Sequence, residues 1–409
     1  MNNLIGKIIE LDIVTIANGG KGIGRYDGMA CFVPGTISDE KVKAQVKIVK
    51  NKYLIAKLIE VLVASSNRIK PTCPLALSPE TIGEDCCPGC QYQHLTYEEE
   101  IRIKTQQFKD LLERFAKIEP EKILKKTIPS PKTLNYRNKI ALHKNKANTK
   151  FGYYLEDNKG ILDISSCPLA CKEINAKLQT FDLSDPMLND SSSIVFRYTK
   201  KDGAFTYTEK SSNDTLIEEE TSIGAFKVPV KSFFQINIAA RDLLLKKVKT
   251  LLKENPTQYL FDLYTGVGLF AIAASKFGVP KVYASDIDRK AVQTAKMNIN
   301  IHECDIKFLA LPAISAAKSI LCTLQQNKTT VIVDPPRTGL DKQIINYLLK
   351  LKPANIIYIS CAPDTLCRDL RILSETVYDV KETQIVDMFP RTAHFETVSL
   401  LKNKIAEQE

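Results

Sequence analysis

Apolar and polar positions fall into three successive regimes along the chain. In the first, Ile8-Ile-Glu-Leu-Asp-Ile alternates with period two, a glycine-rich turn follows at Gly19-Gly-Lys-Gly-Ile-Gly-Arg25, and Met29-Ala-Cys-Phe-Val33 resumes the apolar pattern. The run Lys41-Val-Lys-Ala-Gln-Val-Lys-Ile-Val49 then alternates again, with lysines on one solvent face. Five short strands in about sixty residues predict a small barrel of oligonucleotide-binding type over residues 1–62. Residues 63–225 are less regular. They predict a helix from Tyr97 to about Ala116, strands at Lys150 to Tyr154 and Ser193 to Tyr198, and a hairpin tip at Ser211-Ser-Asn-Asp.

From residue 226 to 409 the pattern becomes strand and helix in alternation. Strands are predicted at Tyr259 to Tyr264, Lys281 to Asp286, Thr330 to Asp334 and Asn355 to Ser360. Helices follow at Leu269 to Phe277, Arg289 to Ile301, Lys342 to Leu351 and Thr365 to Leu373. Two last strands, near Thr383 to Met388 and Phe395 to Leu401, have no helix between them. The expected fold class is α/β, a doubly wound parallel sheet closed by an antiparallel terminal hairpin. In such a sheet ligands bind at the carboxyl ends of the strands.

Composition narrows this picture. A chain of 409 residues, 44% hydrophobic and 25% charged, suits a soluble protein of two or three domains. No stretch of about eighteen apolar residues indicates a membrane span, and the first residues have no signal-peptide pattern. A net charge of +10 suits a polyanionic partner without requiring one. Eleven cysteines without a secretion signal point to a reduced, cytoplasmic setting. No obligate protein partner is evident, and a monomer is expected.

Candidate chemistry begins at Asp262-Leu-Tyr-Thr-Gly-Val-Gly268, a strand end that opens a helix, with Asp286 at the next strand end. Two glycines permit a sharp turn, and a carboxylate at Asp286 can accept hydrogen bonds from two ribose hydroxyls. A dinucleotide or S-adenosylmethionine fits this order. Asp262 favours the second, because a carboxylate at the turn repels pyrophosphate and attracts a sulfonium and an amino group. Cys361 stands where the strand Asn355 to Ser360 ends, and the following helix N-terminus is expected to favour its thiolate. Asp334-Pro-Pro-Arg337 ends the preceding strand, and His394-Phe-Glu396 opens the last one. Methylation of uridine at carbon 5 needs such a set. A thiolate adds at carbon 6 and makes carbon 5 nucleophilic, and a base then removes the carbon 5 proton.

These residues resemble a family. Ser232-Phe-Phe-Gln-Ile-Asn237, the Asp262 turn, Asp334-Pro-Pro-Arg337, Ser360-Cys-Ala-Pro-Asp-Thr-Leu-Cys-Arg-Asp-Leu370 and His394-Phe-Glu-Thr-Val-Ser-Leu-Leu401 are similar to the RNA (uracil-5-)-methyltransferases. The resemblance implies a class I S-adenosylmethionine-dependent methyltransferase fold. It implies cofactor contacts at Gln235, Tyr264, Asp286 and Asp334, a nucleophile at Cys361 and a proton acceptor at Glu396. Thr265 and Ala362 depart from the family's usual Cys and Asn, and Leu269 stands where relatives can have a cofactor-contacting Asn. Residues 1–60, with Gly19-Gly-Lys-Gly-Ile-Gly and Phe32-Val-Pro-Gly, look like the TRAM domain, an RNA-binding barrel. That domain favours 23S rRNA as the expected substrate, with tRNA or a non-catalytic RNA-binding role as alternatives.

Cys86-Cys-Pro-Gly-Cys90 adds a C-x-x-C pair able to hold one metal centre. The resemblance assigns a [4Fe-4S] cluster to Cys73, Cys87, Cys90 and Cys167 in a central α+β domain. Cys86 or Cys171 could substitute for Cys73, and a zinc site or free thiols remain the other readings.

Overall fold

The barrel arises because every second residue of its strands is apolar. A computed structural model describes residues 4–78, 86–144, 151–156, 160–182, 185, 188 and 191–404. Its first six strands are β1 (Ile8–Asp12), β2 (Thr15–Ile16), β3 (Lys21–Tyr26), β4 (Met29–Pro34), β5 (Lys41–Val49) and β6 (Tyr53–Val63). They form one sheet in the order β1-β5-β6-β4-β3-β2, antiparallel except for β4 and β6. Leu11, Val33, Val42, Ala44, Val46, Leu54, Ala56 and Leu58 point inward and are buried. Lys41 and Lys43 point outward, as the alternation predicts. A bulge between Val46 and Ile48 breaks the alternation, so Lys47 and Ile48 are both exposed.

The helix expected from Tyr97 to Ala116 is α1 (Tyr97–Leu111) followed by a π-helical turn, Leu112–Ala116. Thr96 caps its start, accepting from the Glu99 amide, and Lys117 in the left-handed region ends it. After the short α2 (Pro120–Ile123) come β7 (Lys139–Lys144), β8 (Phe151–Tyr154), β9 (Ile161–Asp163), α3 (Lys172–Gln179), β10 (Ser193–Thr199) and β11 (Gly203–Thr208). The five strands form an antiparallel sheet, order β11-β10-β7-β8-β9. Lys150, expected to open β8, lies outside the described residues. A separate hairpin follows, β12 (Leu216–Thr221) and β13 (Gly224–Pro229). Ser211 to Asp214 is therefore not a hairpin tip. It is the link between two sheets, since β11 pairs only with β10 and β12 only with β13.

The last sheet holds β14 (Tyr259–Asp262), β15 (Lys281–Asp286), β16 (Ile306–Ala310), β17 (Thr329–Val333), β18 (Asn355–Ser360), β19 (Tyr378–Val386) and β20 (Glu396–Asn403). Its order is β16-β15-β14-β17-β18-β20-β19, with β14 to β18 parallel and β20 antiparallel to both neighbours. The helices are α4 (Ile238–Glu254), α5 (Leu269–Lys276), α6 (Arg289–His302), α7 (Ala313–Ser319), α8 (Lys342–Leu351) and α9 (Pro363–Thr376). Both sheet faces are covered, and the strand sequences show it residue by residue. Leu260, Ile332, Ile357 and Leu400 face one core with α4, α5 and α6. Phe261, Val331, Tyr358 and Leu401 face another with α1, α8 and α9. Strand order reverses between β14 and β17, so the carboxyl ends there open a crevice. Among the described residues no helix is long and apolar enough to cross a membrane.

Candidate active site

Three parallel strands deliver their last residues to that crevice, and the antiparallel strand delivers its first. Ser360 pairs with Thr397, which sets Glu396 beside Cys361 at the same edge. Thr397 Oγ1 donates to the Ser360 carbonyl at 3.0 Å and ties the two strand ends together. Asp262 ends β14, and Asp334 follows β17 directly.

The turn after β14 is built around a carboxylate. Asp262 is fully buried; its Oδ2 accepts from Thr265 Oγ1 at 2.7 Å, while its Oδ1 has no partner. Gly266 has φ +54°, and an added Cβ there would meet open space. Asp286 accepts from the Gly266 amide at 2.8 Å and the Asp288 amide at 2.9 Å, so its carboxylate is locked beside the turn. Burial, reinforced by the charge of Asp286, pushes the Asp262 carboxyl up to about 7. Asp334 is likewise pushed up to about 7 by burial and by Asp262, its carboxyl enclosed although the residue keeps some exposed surface. Two buried carboxyls that raise each other are costly without a cation between them. The open turn and the unpartnered Oδ1 fit a cofactor with a sulfonium and an ammonium group.

Cys361 is half-buried. Burial pushes its thiol up to about 11, Glu396 and Asp334 push the same way, and Arg337 opposes them. The helix N-terminus was expected to favour the thiolate; burial and two carboxylates outweigh it, and the resting group is a thiol. Glu396 is 2% exposed, with an unpartnered Oε1. Its carboxyl is raised well above the usual range by burial and by Asp334, again opposed by Arg337. Gln235 is buried and Tyr264 half-buried, packed against the second sheet-face core. The Ser232 to Asn237 segment reaches the site through Asn237, which caps α4 and donates to the Met388 carbonyl at 3.0 Å.

The loop that leads into Glu396 is held from the N-terminal half, which sequence patterns did not reveal. Lys104, Glu100 and Asp387 are all fully buried; Lys104 Nζ donates to Glu100 at 2.7 Å and to Asp387 at 2.8 Å. Tyr97 also donates to Asp387, at 2.8 Å. The Arg391 amide donates to Glu100, the Tyr92 amide to the Arg391 carbonyl, and the Ala393 amide to Gln91 Oε1 at 3.0 Å. A charged residue at a helical core position was the available signal at Lys104, but its partner Asp387 lies nearly three hundred residues away.

The expected iron–sulfur ligands meet differently from expectation. Cys167 is an electrostatic neighbour of each of Cys73, Cys87 and Cys90, so the four share one neighbourhood. Cys171 instead begins α3, with Glu173 and Ile174 as its surroundings. Yet among the described residues no three His, Cys, Asp or Glu are arranged to hold a metal ion. Burial pushes the free thiols up, Cys87 to about 11 and Cys90 to about 12. The [4Fe-4S] assignment, and the distinct domain drawn around it, are corrected accordingly. Residues 79–85 of the intervening loop lie outside the described residues.

Known proteins place this site in context. The profile described as tRNA (Uracil-5-)-methyltransferase matches residues 213–404, and that of the TRAM domain matches residues 3–59. An uncharacterized RNA methyltransferase of Aquifex aeolicus is 31% identical, over 97% of this chain and 99% of its own. One from Synechocystis is 28% identical over 97% and 96%. The crystal structure of Pyrococcus abyssi tRNA (uracil-54, C5)-methyltransferase with S-adenosyl-L-homocysteine superposes with a TM-score of 0.72 at 25% identity, over 96% of this chain and 99% of that one. These matches overturn the 23S rRNA expectation. It leaned on the barrel, and here a tRNA enzyme matches the chain over nearly its whole length, barrel included. The chain belongs to the RNA (uracil-5-)-methyltransferase family and is an S-adenosylmethionine-dependent enzyme that methylates RNA.

Proposed function

We propose that the chain methylates carbon 5 of a uridine in tRNA, with Cys361 as nucleophile and Glu396 as the base that releases product. The observation that carries this is the register between β18 and β20, which sets a thiol and an unpartnered buried carboxylate side by side at the cofactor crevice. The tRNA assignment is supported by the matching profile and by the substrate of the Pyrococcus enzyme, so uracil-54 is the first position to test.

S-adenosylmethionine supplies a methyl group on a cationic sulfonium. Asp262 and Asp334 would hold that cationic end, Asp286 would take the ribose, and Gln235 and Tyr264 would supply further contacts. Cys361 Sγ gives its proton to solvent and adds to carbon 6 of the uracil, giving an enolate nucleophilic at carbon 5. Arg337 favours the anionic forms of both Cys361 and Glu396. Once carbon 5 carries the methyl group, Glu396 removes the proton left there, the carbon 6–sulfur bond breaks, and the thiolate is recovered. The division of labour is a barrel at 1–62 for RNA, a central region at 63–225 and methyl transfer at 226–409, in a cytoplasmic setting.

Transfer of labelled methyl to transcribed tRNA is the test. Cys361→Ala should abolish transfer and keep cofactor binding, and Glu396→Gln should trap a covalent protein–RNA adduct because release needs proton removal. Undiminished transfer by Cys361→Ala would sink the mechanism; methylation of a 23S rRNA fragment but no tRNA would sink the substrate.

A further inference from the structure

The outward face of the barrel carries a row of apolar side chains that folding does not explain. Ile23 pairs with Phe32, Phe32 with Ile55, and Ile55 with Ile48, so the four lie in register straight across β3, β4, β6 and β5. All four retain solvent exposure, and Ile48 is 42% exposed. None belongs to the barrel core or packs against it. Beside the row stands Tyr53, 36% exposed, its ring edge-on to Phe32 with centroids 5.6 Å apart.

Cations frame this row. Arg25 pairs with Ala30, which pairs with Tyr53, and so flanks the aromatic pair on one side. Lys57, two residues beyond Ile55 on the same face of β6, flanks it on the other. Lys50 and Lys52 sit in the turn that leads into Tyr53 and are exposed. Among the described residues Arg25, Lys50, Lys52 and Lys57 form no ion pair, although Lys43 and Lys41 nearby are paired with Glu60 and Glu10. An exposed apolar strip asks for a partner. Aromatic rings bordered by free cations fit unpaired nucleotides, whose bases stack and whose phosphates are anionic.

We infer that the β3-β4-β6-β5 face is a stacking platform for unpaired bases of the RNA substrate, with Phe32 and Tyr53 taking the bases and Arg25, Lys50, Lys52 and Lys57 the backbone. This deepens the proposed function, since it rests on the barrel meeting RNA. It names which surface does so and by what chemistry. The flanking charge favours RNA over a second copy of this chain, which has the same net positive charge.

The test uses the full-length protein and a fluorescein-labelled single-stranded oligouridylate, read by anisotropy. Phe32→Leu keeps an apolar side chain but loses the π-face, and should bind about tenfold more weakly, the scale of one lost base–aromatic stack. Tyr53→Leu should do the same, and covers the case in which Phe32→Leu melts early. Phe32→Tyr keeps the ring and should stay within about twofold of wild type, and the leucine variants should leave the salt slope intact, because stacking releases no counterions. Lys50→Ala with Lys52→Ala should flatten that slope. Unchanged affinity in both leucine variants overturns the inference, as does equal loss in Phe32→Leu and Phe32→Tyr. So does a wild-type dimer in sedimentation that Phe32→Leu dissociates. The leucine variants should keep wild-type affinity for S-adenosylmethionine, and methyl transfer is assayed separately from probe binding, so a failed platform and a failed methylation mechanism are told apart.

Discussion

Among the described residues, Arg337 is a cation that acts on both proposed reacting groups, lowering the Cys361 thiol and the Glu396 carboxyl against burial. Removing it raises both. The step that needs a thiolate then needs a higher pH, so Arg337→Ala should move the ascending limb of the kcat/KM profile to higher pH by about 0.5–1 unit, the scale of one nearby charge. A profile that does not move would show that Arg337 acts elsewhere. At this scale the placement of the candidate residues was legible. Cys361, Glu396, Asp334 and Asp286 each stood at a strand end, and strand ends are where such sheets bind ligands. Their electrostatics were not legible. The thiolate expected at Cys361 is a thiol because burial and two carboxylates outweigh a helix N-terminus, and burial is a property of the folded chain.

Elements with strong periodicity were placed well. Strands β14, β15, β17 and β18 fall where alternation put them, and α1 was foreseen, though not its π-helical last turn. What escaped were α4, the hairpin β12-β13 and the role of the loop before β20, because long-range partners define them. The triad beneath that loop makes a prediction. Lys104→Met leaves Glu100 and Asp387 buried together without a cation, and stability should fall by about 3–5 kcal/mol. Glu100 is already pushed up to about 7, by burial first and by Asp387, with Lys104 opposing. Without Lys104 the folded protein holds the Glu100 carboxyl still more strongly protonated than the unfolded chain does. The deficit therefore grows as pH rises from the ordinary carboxylate range. Thermal melts at pH 5 and pH 8 read it, and an equal loss at both would mean that packing, not charge, is what Lys104 provides.

For the molecule as a whole, the ordering of barrel, central region and methyltransferase sheet could be read from pattern, but the substrate could not. A barrel says that RNA is bound, not which RNA, and the 23S rRNA expectation fell to a full-length likeness to a tRNA enzyme. Likewise a C-x-x-C spacing marks a turn that brings thiols together. It does not decide whether those thiols ionise.

A short bridge links the barrel to the loop before Glu396. Gly20, at φ +89°, leaves so little room that an added Cβ would lie 2.7 Å from Gln91 Cβ. Gln91 in turn accepts from the Ala393 amide, three residues before Glu396. Gly20→Ala should accordingly slow turnover by about 10- to 100-fold through misplacement of the base, with cofactor affinity unchanged; a loss seen only in RNA affinity would refute the bridge. Tyr92, Leu95 and Ile103 complete the barrel's own core. The barrel is thus not a cassette. Transplanting another RNA-binding module onto residue 63 would need a glycine at the matching turn and a socket for three foreign side chains. Retargeting this enzyme is better attempted on the barrel's outer face than by exchanging the barrel.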